Sequence, residues 1–72
     1  PAPDAVLETA QRFQGLEKAL ARLPPEHREI LLLREIEEMS YEDIAAVLQL
    51  NTGTVKSRIA RARAGLLEKM PR

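Results

Sequence analysis

Ser40-Tyr41-Glu42-Asp43-Ile44-Ala45-Ala46-Val47-Leu48-Gln49-Leu50-Asn51-Thr52-Gly53-Thr54-Val55-Lys56-Ser57-Arg58-Ile59-Ala60-Arg61-Ala62-Arg63 is the stretch that decides the fold of this 72-residue chain. It holds two helical periods with a short break between them. In the first, Tyr41, Ile44, Ala45 and Leu48 fall at i, i+3, i+4 and i+7, one face of an amphipathic helix. Ser40 with Asp43 three residues on is a capping-box-like pair, the shorter Asp replacing Glu. A short helix is predicted over 41–48. Gln49-Leu50-Asn51 makes the break, and Asn51 or Thr52 caps the next helix. In the second period Val55, Ile59, Ala62 and Leu66 cluster within about 60° of arc and face a core. That helix is predicted over 52–69, ending before Pro71.

The opposite face of this last helix carries the functional signal. Its middle is a strip of small residues, Gly53, Ser57, Ala60 and Ala64. Thr54 and Arg61 flank the strip on one side, Lys56 and Arg63 on the other, and Arg58 lies further round near the core edge. A helix that enters a DNA major groove needs small residues so that its axis approaches the base edges. It also needs Arg or Lys at its shoulders to reach phosphates and guanine O6/N7. With the short helix and tight break upstream, the pattern is a helix-turn-helix, whose second helix enters the groove while the first crosses the backbone. Ala and Arg are also good helix formers on any solvated face. That blander reading does not require Gly53 and Thr54 in the first turn.

Upstream, Pro24 and Pro25 separate two more helices, because proline lacks an N–H and its ring clashes with the preceding turn. The first is predicted over 4–22, capped by Asp4, with an apolar stripe of Val6, Phe13, Leu16, Leu20 and Leu23 and a weakening Gly15 inside it. The second is predicted over 25–38, with proline tolerated in its first turn. Ile30-Leu31-Leu32-Leu33 is an unbroken apolar run, so this helix is expected to be covered on more than one side. No segment alternates apolar and polar residues as a strand does. The fold class expected is all-α: a four-helix domain containing a helix-turn-helix. Residues 1–22 form a linker and first helix, and 23–72 the DNA-binding part of one compact domain.

Composition narrows the function classes. The chain is 44% hydrophobic and 31% charged, which excludes collagen and a simple disordered linker. It has no Cys and one His, so neither a disulfide scaffold, a Cys nucleophile nor a His cluster for metal is present. No apolar run approaches the roughly 18 residues that span a bilayer. No signal peptide is recognisable and the first residue is Pro, so a domain of a longer intracellular protein is expected. The net charge is zero, but it is split. Residues 1–48 hold five basic and ten acidic side chains, a net of −5, and residues 49–72 hold six basic and one acidic, a net of +5. A basic last third on an acidic body suits a polyanion met by one element only.

Three blocks together resemble region 4 of bacterial sigma factors of the sigma-70 family, nearest its extracytoplasmic-function (ECF) group. They are Leu23-Pro24-Pro25-Glu26-His27-Arg28-Glu29-Ile30-Leu31-Leu32-Leu33-Arg34-Glu35, then Met39-Ser40-Tyr41-Glu42-Asp43-Ile44-Ala45, then Gly53-Thr54-Val55-Lys56-Ser57-Arg58-Ile59-Ala60-Arg61-Ala62-Arg63. The resemblance covers about Leu16 to Met70. It implies a cytoplasmic bacterial protein that recognises the −35 promoter element in double-stranded DNA and docks on the β flap of RNA polymerase for transcription initiation. An anti-sigma factor is an implied further partner; no cofactor, small-molecule substrate or membrane insertion is implied. Carried over by position, Lys56, Ser57, Ala60 and Arg61 are similar to base-proximal residues. Arg34, Tyr41, Glu42, Thr54, Arg58 and Arg63 are similar to backbone-contacting or supporting ones. Ala60 departs from relatives with a larger side chain there, which leaves it clearance or a thymine-methyl contact. Glu42, an acid that repels phosphate, either orients an arginine or supports the start of its helix.

Two alternatives stay open at this level. One is the output domain of a response regulator, which shares the Gly-Thr-Val-Lys portion but usually dimerises through a further helix; no residues remain here for one. The other is a helical module that mainly binds a protein. Catalysis is not expected. His27 is a lone imidazole, Glu37 and Glu38 are adjacent and do not share a helix face, and no Ser–His–Asp grouping or phosphate loop is present. Met39 and Met70 read as packing residues.

Overall fold

Local chemistry fixes each boundary in the computed structural model, which describes residue 11 and residues 14–70. The expectations for Asp4, Val6, Phe13 and Pro71 lie outside the described residues. Helix α1 comprises residues 14–21. It tightens at its end, where the N–H groups of Arg22 and Leu23 reach the carbonyls of Ala19 and Leu20, both at 3.1 Å. Pro24 is extended, with φ −54° and ψ 144°, and Pro25 opens α2 (Pro25–Leu31). A proline in the first turn forfeits an N–H that has no helical partner anyway.

Helix α2 does not end as a regular α-helix. Leu32–Ile36 continue it as a π-helical turn, and the Glu37 N–H reaches back five residues to the Leu32 carbonyl at 3.1 Å. Glu38 then adopts a left-handed conformation, φ 55°, and the Met39 N–H bonds the Leu33 carbonyl at 3.1 Å. The helix expected over 25–38 therefore stops at Ile36, because the reversal at Glu38 ends the helical path. The apolar run also divides: Ile30 and Leu31 are buried, Leu33 packs partly against the core, and Leu32 is 41% exposed.

Helix α3 (Tyr41–Leu48) is capped as its sequence requires, with Ser40 Oγ accepting the Asp43 N–H at 3.1 Å. It closes in a Schellman motif. Gln49 is left-handed at φ 57°, ψ 48°, and the Leu50 N–H bonds the Ala45 carbonyl at 2.9 Å. Asn51 caps α4 (Thr52–Lys69), its Oδ1 accepting the Thr54 N–H at 2.7 Å.

Helices α2 and α3 both pack on α4. One cluster joins Leu23, Ile30, Leu31, Ile44, Ala45, Val55, Ile59 and Ala62, with Leu20, Leu48, Leu50 and Leu66 packed partly against it. Ala19 of α1 is buried as well. Each fully buried Ile contributes about 1.5–3 kcal/mol relative to exposure, so the four-residue heart of Ile30, Ile44, Val55 and Ile59 carries much of the fold. Gly65 lets Leu23 close onto α4, since a Cβ there would stand 3.2 Å from Leu23 Cδ2. Among the described residues every buried side-chain N or O atom has a partner, and no helix is long and apolar enough to cross a membrane.

Candidate nucleic-acid interface

Burying Val55, Ile59 and Ala62 fixes the rotation of α4 and so decides what it presents outward. Gly53, Ser57, Ala60 and Ala64 are all exposed, as are Lys56, Arg61 and Arg63. Thr54 and Arg58 are half-buried at the edges. The small strip with basic shoulders predicted from periodicity is thus the solvent face of α4. Ser57 Oγ donates to the Gly53 carbonyl at 2.9 Å, which turns the hydroxyl along the helix and keeps its lone pairs available. The outer face is smooth near its N-terminal end, where a recognition helix meets base edges.

The start of α3 lies beside the start of α4. A shallow cleft of about 280 Å³ is lined by Tyr41, Glu42, Thr52, Gly53 and Lys56. Both helix N-termini and the Lys56 ammonium favour an anion in this region, and the exposed Glu42 opposes one. Glu42 stands in the first turn of α3 with Asp43, where a carboxylate complements the helix dipole.

Side chains of the π-helical turn reach both helices of the motif. Arg34 Nη1 donates to the Met39 carbonyl at 2.7 Å, and its guanidinium carbon lies 4.8 Å from the centre of the Tyr41 ring. Arg34 therefore braces the segment leading into α3; a cation–π contact of this kind contributes about 0.5–1 kcal/mol where solvent reaches it. Arg63 leans to α2, and its Nε donates to Glu35 Oε1 at 3.0 Å while Nη2 donates to the same oxygen. The hydrogen bonds to Glu35 raise the Arg63 pKa above its ordinary value. Desolvation works against this, and the charge of Glu35 and the Tyr41 phenol add to it. Both partners are about half exposed, so the pair is worth little as stability. Sequence reasoning placed Arg34 and Arg63 on the candidate surface but missed Glu35. Glu35 lies 28 positions from Arg63, and no helical period connects the two.

A second surface lies between α1, α2 and α4. An almost wholly apolar cavity of about 180 Å³ is lined by Leu16, Leu20, Leu31, Leu32, Ile36 and Leu66, with Glu35 and Arg63 at its rim. Ile36, which lines it, is 69% exposed, which makes this side of the domain apolar beyond what its core uses.

The family model described as Sigma-70, region 4 matches residues 13–66, a span that takes in residues 14–21 of α1 and reaches well into α4. The chain belongs to the sigma-70 region 4 family. This region 4 is 42% identical over 66 residues to the ECF RNA polymerase sigma factor SigE of Mycolicibacterium smegmatis, covering 92% of this chain and 26% of that protein. It is 51% identical over 49 residues to the RNA polymerase sigma-H factor of Pseudomonas aeruginosa, covering 68% and 25%. It is 35% identical over 68 residues to the ECF RNA polymerase sigma-E factor of Escherichia coli, covering 94% and 36%. The chain spans only a quarter to somewhat over a third of these relatives, which carry further sequence outside region 4.

Proposed function

We propose that this region 4 reads the −35 promoter element and docks on RNA polymerase for transcription initiation, as part of an ECF-type sigma factor in the bacterial cytoplasm. The observation that carries the reading is the outer face of α4, a small-residue strip flanked by Lys56, Arg61 and Arg63 on the second helix of a helix-turn-helix. In this reading Lys56, Ser57, Ala60 and Arg61 stand next to base edges. Arg61 is the candidate for a bidentate bond to guanine, and Ala60 gives clearance or a thymine-methyl contact. Thr54, Arg58 and Arg63 face the backbone from the shoulders of α4. Tyr41 and Glu42 adjoin the backbone from the start of α3, and Arg34 supports them from α2. The role needs no catalytic step and no cofactor, because base reading and docking are both binding events.

For protein partners the reading relies on the apolar cavity between α1, α2 and α4. It is open to the β flap of RNA polymerase, and an anti-sigma factor can compete for it. The division into a first helix within 1–22 and a DNA-binding unit within 23–72 has the same basis, since every proposed DNA contact lies after Leu23.

The direct test is titration of a promoter duplex containing the −35 element beside a shuffled duplex of equal length, for the chain alone and with core polymerase. Preference for the promoter duplex, sharpened by polymerase, is the expected result. Equal affinity for both duplexes under every condition rejects promoter reading.

A further inference from the structure

Arg63 has five N–H donors on a planar fork. Only one edge, Nε and Nη2, is spent on Glu35. Among the described residues the other edge, Nη1 with the second Nη2 hydrogen, makes no hydrogen bond within 3.5 Å; the Tyr41 phenol lies near enough to raise the Arg63 pKa, and half of the side chain is exposed. That edge can still grip a phosphate with two parallel hydrogen bonds. Without a partner, an arginine on a helix shoulder samples many rotamers and gives up that freedom when it binds. Glu35 reduces that freedom beforehand. Its own position is set by the π-helical turn, which also carries Arg34 and its contacts to Met39 and Tyr41.

We propose that Glu35 is a positioning residue for DNA binding: it holds Arg63 by one guanidinium edge so that the opposite edge is presented to a DNA phosphate. The proposal rests on the DNA-binding reading of α4 and adds a residue that touches no DNA. It runs against simple electrostatics. A carboxylate next to a phosphate contact lowers affinity by repulsion, so removing it should strengthen binding. If Glu35 instead orients Arg63, removing it weakens binding and reduces the number of phosphates neutralised.

The test uses Glu35→Gln, Arg63→Ala and the double variant, titrated against two duplexes at several salt concentrations. One duplex is enriched from a randomised pool by the wild-type chain, and the other is its shuffled counterpart. Loss of one phosphate contact lowers affinity about fivefold near physiological salt and makes the log–log salt slope shallower by about 0.9, the effect expected of Arg63→Ala on both duplexes. Glu35→Gln is expected to lose about threefold on both duplexes with a shallower slope, although it makes the chain more positive. In the Arg63→Ala background it is expected to cause no further loss. Circular dichroism melts of all variants normalise affinity to folded protein.

Glu35→Gln binding as tightly as wild type, or more tightly, overturns the proposal. An equal loss with and without Arg63 also overturns it, because Glu35 would then act through the fold. The promoter reading fails separately: wild type without preference for the enriched duplex rejects base reading, while the Glu35 comparison is still read on shuffled DNA. No DNA binding by wild type at low salt rejects both.

Discussion

Gly53→Ala separates groove entry from helix formation, because the two predict opposite signs. Gly53 is the second residue of α4, after Thr52 and two positions from the Asn51 cap. Its φ is not in the left-handed region, so an L-residue fits the backbone. A Cβ there would meet Asn51 Oδ1 at 3.4 Å, ordinary van der Waals contact, and the cap bond to Thr54 survives. The full Gly-to-Ala gain in a helix interior is about 1 kcal/mol, and in the first turn roughly half of it is expected. For a domain of this size that raises Tm by about 2–4 °C. On DNA the sign reverses. The new methyl lies on the same strip as Ser57 and Ala60, at the end of α4 nearest the bases in a helix-turn-helix complex. Forcing a methyl into a close-packed contact costs about 1–3 kcal/mol, a loss of affinity of roughly five- to 150-fold. The assay is a thermal melt beside a titration of promoter DNA, with affinity expressed per folded molecule. A variant that melts higher and binds undiminished would refute the close approach of α4 to the bases at this point.

Arg61→Ala is expected to lose about 1–3 kcal/mol at one base pair, read by titrating single-base variants of the promoter duplex; equal losses on every variant would contradict base reading. Asn51→Ala removes the α4 cap and is expected to destabilise the chain by about 1 kcal/mol in denaturant titration, with DNA affinity per folded molecule falling only slightly. Glu38→Gly relieves a left-handed non-glycine residue and is expected to stabilise the domain by about 0.5–1 kcal/mol without changing DNA binding; a lower Tm would mean that the Glu38 side chain carries a contact of its own. The chain alone is expected to bind DNA with a log–log salt slope of roughly −5, set by five or six phosphates, and a slope near zero would exclude a phosphate-based interface.

Most of the fold is legible in local chemistry. Ser40 and Asn51 cap the helices they precede, Pro24–Pro25 separate α1 from α2, and helical periodicity alone identifies both the buried and the outer residues of α4. These features act within one or two turns, so a window of sequence contains the whole cause. The end of α2 is different. Nothing in Leu32-Leu33-Arg34-Glu35-Ile36 disfavours a regular α-helix, and Glu38 is a poor choice for a left-handed residue, yet the chain takes a π-helical turn and reverses there. The cause is tertiary: Arg34 reaches the Met39 carbonyl and the Tyr41 ring, and Glu35 reaches α4. Leu32 shows the same limit. As one of four consecutive apolar residues it reads as core, but the core accepts only one arc of α2, and Leu32 falls at the edge of the α1–α2–α4 cavity. The candidate DNA face was legible as a pattern on α4, and Arg34 came with the resemblance; Glu35 was not legible, because its contact with Arg63 crosses 28 residues of sequence.

The split charge gives the DNA reading a physical consequence beyond contact lists. With zero net charge the chain has little long-range pull toward DNA as a whole. The −5 and +5 nevertheless divide along the sequence, and the basic segment is almost entirely α4. Close to a duplex, within about a Debye length of 8–10 Å, the exposed Lys56, Arg61 and Arg63 of α4 are expected to be drawn to it more than the chain as a whole. Orientation is then favoured over indiscriminate capture. Non-specific affinity, which rises with every phosphate neutralised and competes across a whole genome, stays low. On the proposed reading, base contacts by Arg61 and its neighbours would make up a larger share of the binding that remains. Within the +5 segment Arg63 is already tied to Glu35, which reduces the loose positive charge further while keeping one donor edge in place. A domain built this way is expected to discriminate well and to bind weakly by itself. That division suits a reader whose residence on DNA is supplied by a tethered assembly, where effective concentration replaces contact area.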